Sequence, residues 1–147
     1  MTDNAYQESA DRFARMLMKQ AAWPAAVVVA ATVLAPLAAS GRGAFETLRA
    51  STALSVSAAG AAAVLALSAL LAFDAFLFRL MASYDDEASG GAAVDDILAR
   101  MRLKSSPSTT RSLQDRMAGT SRLLFKQRAA LALFAAALLT AGFWAPR

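Results

Sequence analysis

The chain is 147 residues long, 57% hydrophobic and only 18% charged, with a net charge of +4 and a mean hydropathy of +0.41. That is too apolar for a disordered segment and too poorly charged for an ordinary soluble domain. With no cysteine and no histidine, it is excluded from thiol redox chemistry, disulfides, zinc fingers and haem ligation through either residue.

The N-terminal segment predicts a short amphipathic helix over Asn4–Lys19. Tyr6, Ala10, Phe13 and Leu17 recur at helical spacing. Asn4 and Gln7 are placed as a capping box, and Arg12, Arg15 and Lys19 suit anionic headgroups. Such a helix is expected to lie on a membrane surface or to dock a partner.

The first uncharged run is Gln20–Gly41, 22 residues. About 20 apolar residues in a helix cross roughly 30 Å of hydrocarbon, and a helix is required because lipid offers the backbone no hydrogen-bond partner. Trp23 serves as an interfacial anchor. Pro24 is expected in the first turn, where its missing amide costs little. Pro36 marks a kink or stop, and Gly41 and Gly43 mark a short turn. Leu37-Ala38-Ala39-Ser40 has the small residues of a cleavage site. The long preceding segment with Asp3, Glu8 and Asp11 argues for an uncleaved span instead.

The second run is Ala50–Phe73, 24 residues. Ser55, Ala59 and Ala63 form a small-residue stripe that allows close helix packing, and Ser57 and Ala61 flank Gly60 on neighbouring faces. Immediately beyond the run comes Asp74, in Leu71-Ala72-Phe73-Asp74-Ala75-Phe76-Leu77-Phe78-Arg79. A carboxylate near the bilayer is a functional candidate by default. Its expected place is the membrane interface, with Arg79 snorkelling close by.

The middle segment, about Ala82–Arg128, is read as a helical hairpin. Asp85-Asp86-Glu87 followed by Ser89-Gly90-Gly91 predicts a flexible linker. Ala92–Lys104 predicts an amphipathic helix with Val94, Ile97, Leu98 and Met101 on one face. Asp95 and Asp96 open it and Arg100, Arg102 and Lys104 close it, with Asp96 and Arg100 paired one turn apart. Ser105-Ser106-Pro107-Ser108-Thr109-Thr110 is a break. A second helix from about Thr110 carries Leu113, Met117, Thr120 and Leu124 on one stripe, with Ser112 and Asp115 as a possible cap. It is expected to run without interruption into the third span, Ala129–Pro146, 18 residues ending in Phe143 and Trp144. In that span Ala132, Ala136 and Thr140 repeat the small-residue spacing. Pro146 follows the helix.

Orientation follows from the basic residues. Twelve of the 15 lie in the N-terminal segment and the middle loop; Arg42, Arg49 and Arg147 lie on the other side. The positive-inside rule then places the N-terminus in the cytoplasm and the C-terminus outside. The predicted fold is an all-α membrane protein with three transmembrane helices. Its parts are a cytoplasmic amphipathic segment (1–20), spans one and two with a short external loop (21–78), a cytoplasmic helical hairpin (79–128), and span three with a short external C-terminus (129–147).

No GxGxxG, P-loop or GxSxG motif is present, and no catalytic, cofactor or metal residue is expected. The basic loop lacks interleaved aromatics apart from Phe125, so nucleic acid is not an expected partner; lipid and topology account for its charge. Expected partners are membrane lipids and other membrane subunits or a second copy. The reading is a non-enzymatic accessory, assembly or scaffold subunit of a complex in a bacterial-type cytoplasmic (inner) membrane. Two alternatives stand beside it: a small homo-oligomeric channel or transporter with Asp74 near the path, and a membrane-tethered regulator recruiting a cytosolic partner through Ala92–Arg128.

Overall fold

A computed structural model describes residues 3–39, 48–102 and 112–143. They form four helices in the order α1 (Asp3–Ala39), α2 (Leu48–Met81), α3 (Glu87–Arg100) and α4 (Leu113–Phe143), with no strand among the described residues. Stretches of three helices, Ala5–Ala35, Leu48–Met81 and Leu113–Gly142, are long and apolar enough to cross a membrane. The chain is thus built as a multi-pass membrane protein. At 1.5 Å per residue, α1, α2 and α4 extend roughly 45–55 Å, beyond the ~30 Å of hydrocarbon. The expected turn at Gly41 and Gly43, the break at Ser105–Thr110, and Trp144 and Pro146 lie outside the described residues.

The N-terminal segment and the first span are one helix, not two. No glycine or proline interrupts Asn4–Trp23, so nothing stops helix propagation between them. Pro24 therefore sits in the interior of α1 rather than in a first turn, and its ring is fully buried. Apolar packing and local backbone adjustment accommodate such prolines in membrane helices. The helix also continues past Pro36 to Ala39. Because α1 begins at Asp3, Asn4 is not its cap; the Gln7 amide instead donates to the Tyr84 carbonyl oxygen at 3.0 Å.

The contacts divide the chain into two units: Met1–Gln20 with Leu70–Leu123, and Ala21–Ala69 with Leu124–Arg147. The second unit is held by a narrow apolar seam. Val28, Val64 and Phe134 are buried together, with Ala31, Ala61, Ala130, Leu131 and Leu138 against them. Gly60 faces α4 so closely that a Cβ there would lie 3.1 Å from Phe134 Cα. Beside the seam, the buried Gln127 side chain donates to Ser68 Oγ at 2.7 Å. Elsewhere this unit turns large apolar groups outward, among them Val29, Val33, Leu34, Leu133 and Leu139. A hydrocarbon solvent suits that surface.

The first unit is assembled differently. Tyr6, Ala10, Ala14 and Leu17 of α1 are buried, as are Leu71, Ala75, Phe78 and Met81 of α2. The Phe13 and Phe78 rings meet edge to face, with centroids 4.9 Å apart. The stripe expected to lie on lipid or on a partner is thus covered within the chain. Tyr6 Oη donates to the Met81 carbonyl oxygen at 3.3 Å. On the outer face of α1, Arg12 and Arg15 pair with Glu8 and Asp11 one turn away.

The expected flexible linker at Ser89-Gly90-Gly91 is the first part of α3. Asp86 is the N-cap in an extended conformation, and its carboxylate accepts hydrogen bonds from the Ser89 amide at 2.8 Å and hydroxyl at 2.7 Å. Gly90 and Gly91 are buried. A Cβ on Gly90 would sit 2.6 Å from Tyr6 Oη and 3.0 Å from the Met81 carbonyl oxygen. Close approach, not flexibility, explains that glycine. At its other end α3 stops at Arg100, earlier than expected, and Arg102 adopts φ 55°, the left-handed conformation that terminates many helices. Ser112 caps α4 as expected: its hydroxyl accepts from the Asp115 amide at 3.2 Å and lies 2.9 Å from the Asp115 carboxylate.

Candidate functional site

Polar side chains of the first unit converge where the end of α2, the length of α3 and the start of α4 come together. Asp74, half-buried on α2, accepts a hydrogen bond from Thr120 Oγ1 of α4 at 3.0 Å. Arg116, one turn earlier on α4, pairs with Asp95 of α3 at 2.9 Å, and both side chains are only 11% exposed. Glu87, at the start of α3, accepts from the Leu113 amide at 2.6 Å, satisfying one of the open donors at the start of α4. Beside Asp74, Thr120 and Arg116 lies a cavity of about 240 Å³, lined by them, by Asp115 and by apolar side chains of α2 and α3.

Arg79 does not approach Asp74. Five positions along a helix turn a side chain about 140° around the axis, and Arg79 lines a separate surface groove with Glu8 and Asp11. Outside the spans, exposed Asp86 is held below the usual carboxylate range, first by the Ser89 amide and then by the Ser89 hydroxyl.

The residues expected to dock a partner are largely engaged within the chain. Val94 and Leu113 are buried, Ile97, Leu98, Met117 and Leu124 are half-buried, and only Met101 is exposed. The pair Asp96–Arg100 forms at 2.9 Å on the outside of α3. The small-residue stripes show the opposite pattern. Ser55, Ala59 and Ala63 on α2 and Ala132, Ala136 and Thr140 on α4 are all exposed. The seam uses the neighbouring faces instead, through Ser57, Gly60, Val64 and Ser68 on α2 and Gln127, Phe134, Ala137 and Ala141 on α4.

Sequence reasoning missed the Asp95–Arg116, Glu87–Leu113 and Gln127–Ser68 contacts. Thr120 and Gln127 did carry a signal: each is polar on an otherwise apolar face, which calls for a partner when buried. Asp95 and Arg116, 21 positions apart and on different helices, carried none.

Among the described residues no group of acidic side chains is placed to hold a metal ion. No family model, no curated protein and no solved structure matches this chain.

Proposed function

We propose that the protein is a non-enzymatic accessory, assembly or scaffold subunit that joins a larger complex through its membrane-embedded faces. The observation that carries this reading is the exposure of both small-residue stripes, Ser55-Ala59-Ala63 and Ala132-Ala136-Thr140. Apolar side chains gain nothing from leaving lipid for one another by hydrophobic effect alone, whereas small residues let a second backbone approach closely enough for dispersion to favour association. The engagement of Val94 and Leu113 inside the chain favours membrane-embedded association over recruitment through the α3–α4 hairpin. The membrane is a bacterial-type inner membrane, with the N-terminus and the hairpin cytoplasmic, on the asymmetry of Lys and Arg.

The chain has no cysteine, so single cysteines report contacts directly. In native membranes, Ala59→Cys and Ala136→Cys are expected to cross-link to another subunit or a second copy, while Val29→Cys and Val33→Cys, on the exposed face of α1, are not. A monomer at all four positions overturns the proposal, as does substrate turnover or ion flux by the purified protein in liposomes.

A further inference from the structure

The cavity of the first unit is charged in an uneven way. Its cation, Arg116, is matched by Asp95 at 2.9 Å. Its two carboxylates are not matched in kind. Among the described residues Asp74 meets only the Thr120 hydroxyl, and Asp115 meets the hydroxyl of Ser112. Among the described residues the lining is therefore net negative, and Asp74 is the more sheltered of the two. Phe73 and Phe78 contribute aromatic walls and Leu77, Val94 and Leu98 aliphatic ones. A carboxylate beside aromatic rings in a partly desolvated pocket attracts a soft organic cation more strongly than a hydrated metal ion. The volume, about 240 Å³, is enough for a substituted ammonium group. Gly119 lines the cavity, and a Cβ added there would meet nothing within 4 Å. The space beside it is open.

We infer that this cavity binds a small organic ammonium group, with Asp74 as its counter-ion and Asp115 as a secondary charge. Two sources present that chemistry: the headgroup of phosphatidylethanolamine and a soluble amine. The uncharged run of α2 ends at Phe73, on the edge of the cavity, which puts an ammonium headgroup within the range of both.

The test uses the full chain in nanodiscs of phosphatidylglycerol, titrated calorimetrically with benzyltrimethylammonium, and with neopentylbenzene as its neutral counterpart of the same shape. The cation is expected to bind saturably at one site per chain, and the neutral compound not to. Asp74→Asn should weaken binding at least about tenfold and Asp115→Asn about threefold. Asp96→Asn, on the outside of α3, should leave binding unchanged. Gly119→Leu guards against loss through misfolding. It replaces a helical glycine by a better helix former and fills the open space, so it should abolish binding while thermal stability is kept or raised. Replacing half the lipid by phosphatidylethanolamine separates the sources. A Kd raised above that in nanodiscs where the same half is a neutral glycolipid, so that surface charge is equal, assigns the site to the headgroup; an equal Kd assigns it to a soluble amine. Absence of saturable binding, equal binding of the neutral compound, or undiminished binding by folded Asp74→Asn and Gly119→Leu proteins each overturns the inference.

Discussion

The two units of this chain solve the same problem, fixing helices against one another, by different physics. The unit made of Ala21–Ala69 and Leu124–Arg147 relies on close approach. Gly60 admits Phe134, a three-residue core fills the seam, and one buried hydrogen bond joins Gln127 to Ser68. The unit made of Met1–Gln20 and Leu70–Leu123 relies on directed polar contacts as well. Tyr6 reaches Met81, Gln7 reaches Tyr84, Thr120 reaches Asp74, and Asp95 pairs with Arg116. In hydrocarbon, water does not compete, and every polar group not placed costs several kcal/mol. Few are used there, and shape does the selecting. A unit with more polar surface can use charge and hydrogen-bond direction to specify which helices meet.

The difference can be tested by breaking each device in turn and following unfolding in mixed micelles of mild detergent and SDS. The largest loss is expected for Asp95→Asn. It removes the charged partner from a mostly buried ion pair, a change worth about 3–5 kcal/mol. The same substitution at exposed Asp96 should cost no more than about 0.5 kcal/mol. If the two losses prove equal, the buried pair does not organise its unit.

Next comes Gly60→Val. Its Cβ would press on the backbone of Phe134, and overpacking of that kind costs about 1–3 kcal/mol. Cysteine cross-links placed across the seam should weaken with it. Gln127→Leu, which removes the buried hydrogen bond to Ser68, should cost about 1 kcal/mol. A larger loss than at Gly60 would mean that polarity, not shape, governs the seam.

The smallest effect among these devices is the one that depends on pH. Asp86→Ala removes the cap of α3 and should cost less than any of the changes above except that at Asp96. Because the folded state holds the Asp86 carboxyl below its ordinary value, the cap contributes fully above the unfolded pKa near 3.9. Its contribution disappears as the pH falls through the lower folded value. Wild type and Asp86→Ala should therefore converge in stability on acidification. A gap that stays constant to low pH would show that the cap acts without its charge.

Much of the fold was legible in the sequence because it follows from local properties. Long uncharged runs predict spans, and Ser112 with Asp115 predicts a cap. Asp96 with Arg100 predicts a surface pair, and the unbroken stretch after Gly119 predicts that α4 continues into a span. The misreadings share a cause. Pro24 and Ser89-Gly90-Gly91 carry strong local signals for a helix start and a linker. Packing overrode both: Pro24 is buried inside α1, and Gly90 is small because Tyr6 and the Met81 carbonyl oxygen occupy the space its side chain would need. Asp74 was legible as a carboxylate near a span end, but its neighbour was not. Arg79 lies close in sequence and on another side of the helix, whereas Thr120, 46 positions away, is the residue that meets it.

By itself, the amino-acid sequence determined that this chain is helical, carries three membrane-length apolar helices and lacks cysteine and histidine chemistry. Those properties are sums along the chain, set by hydrophobic length and by residue type. Only the tertiary structure decided which small-residue faces stay exposed, which stripes are consumed internally, and that Asp74, Asp115 and Arg116 share one cavity. Each of those outcomes depends on the rotation of one helix against another, a quantity that no single helix encodes.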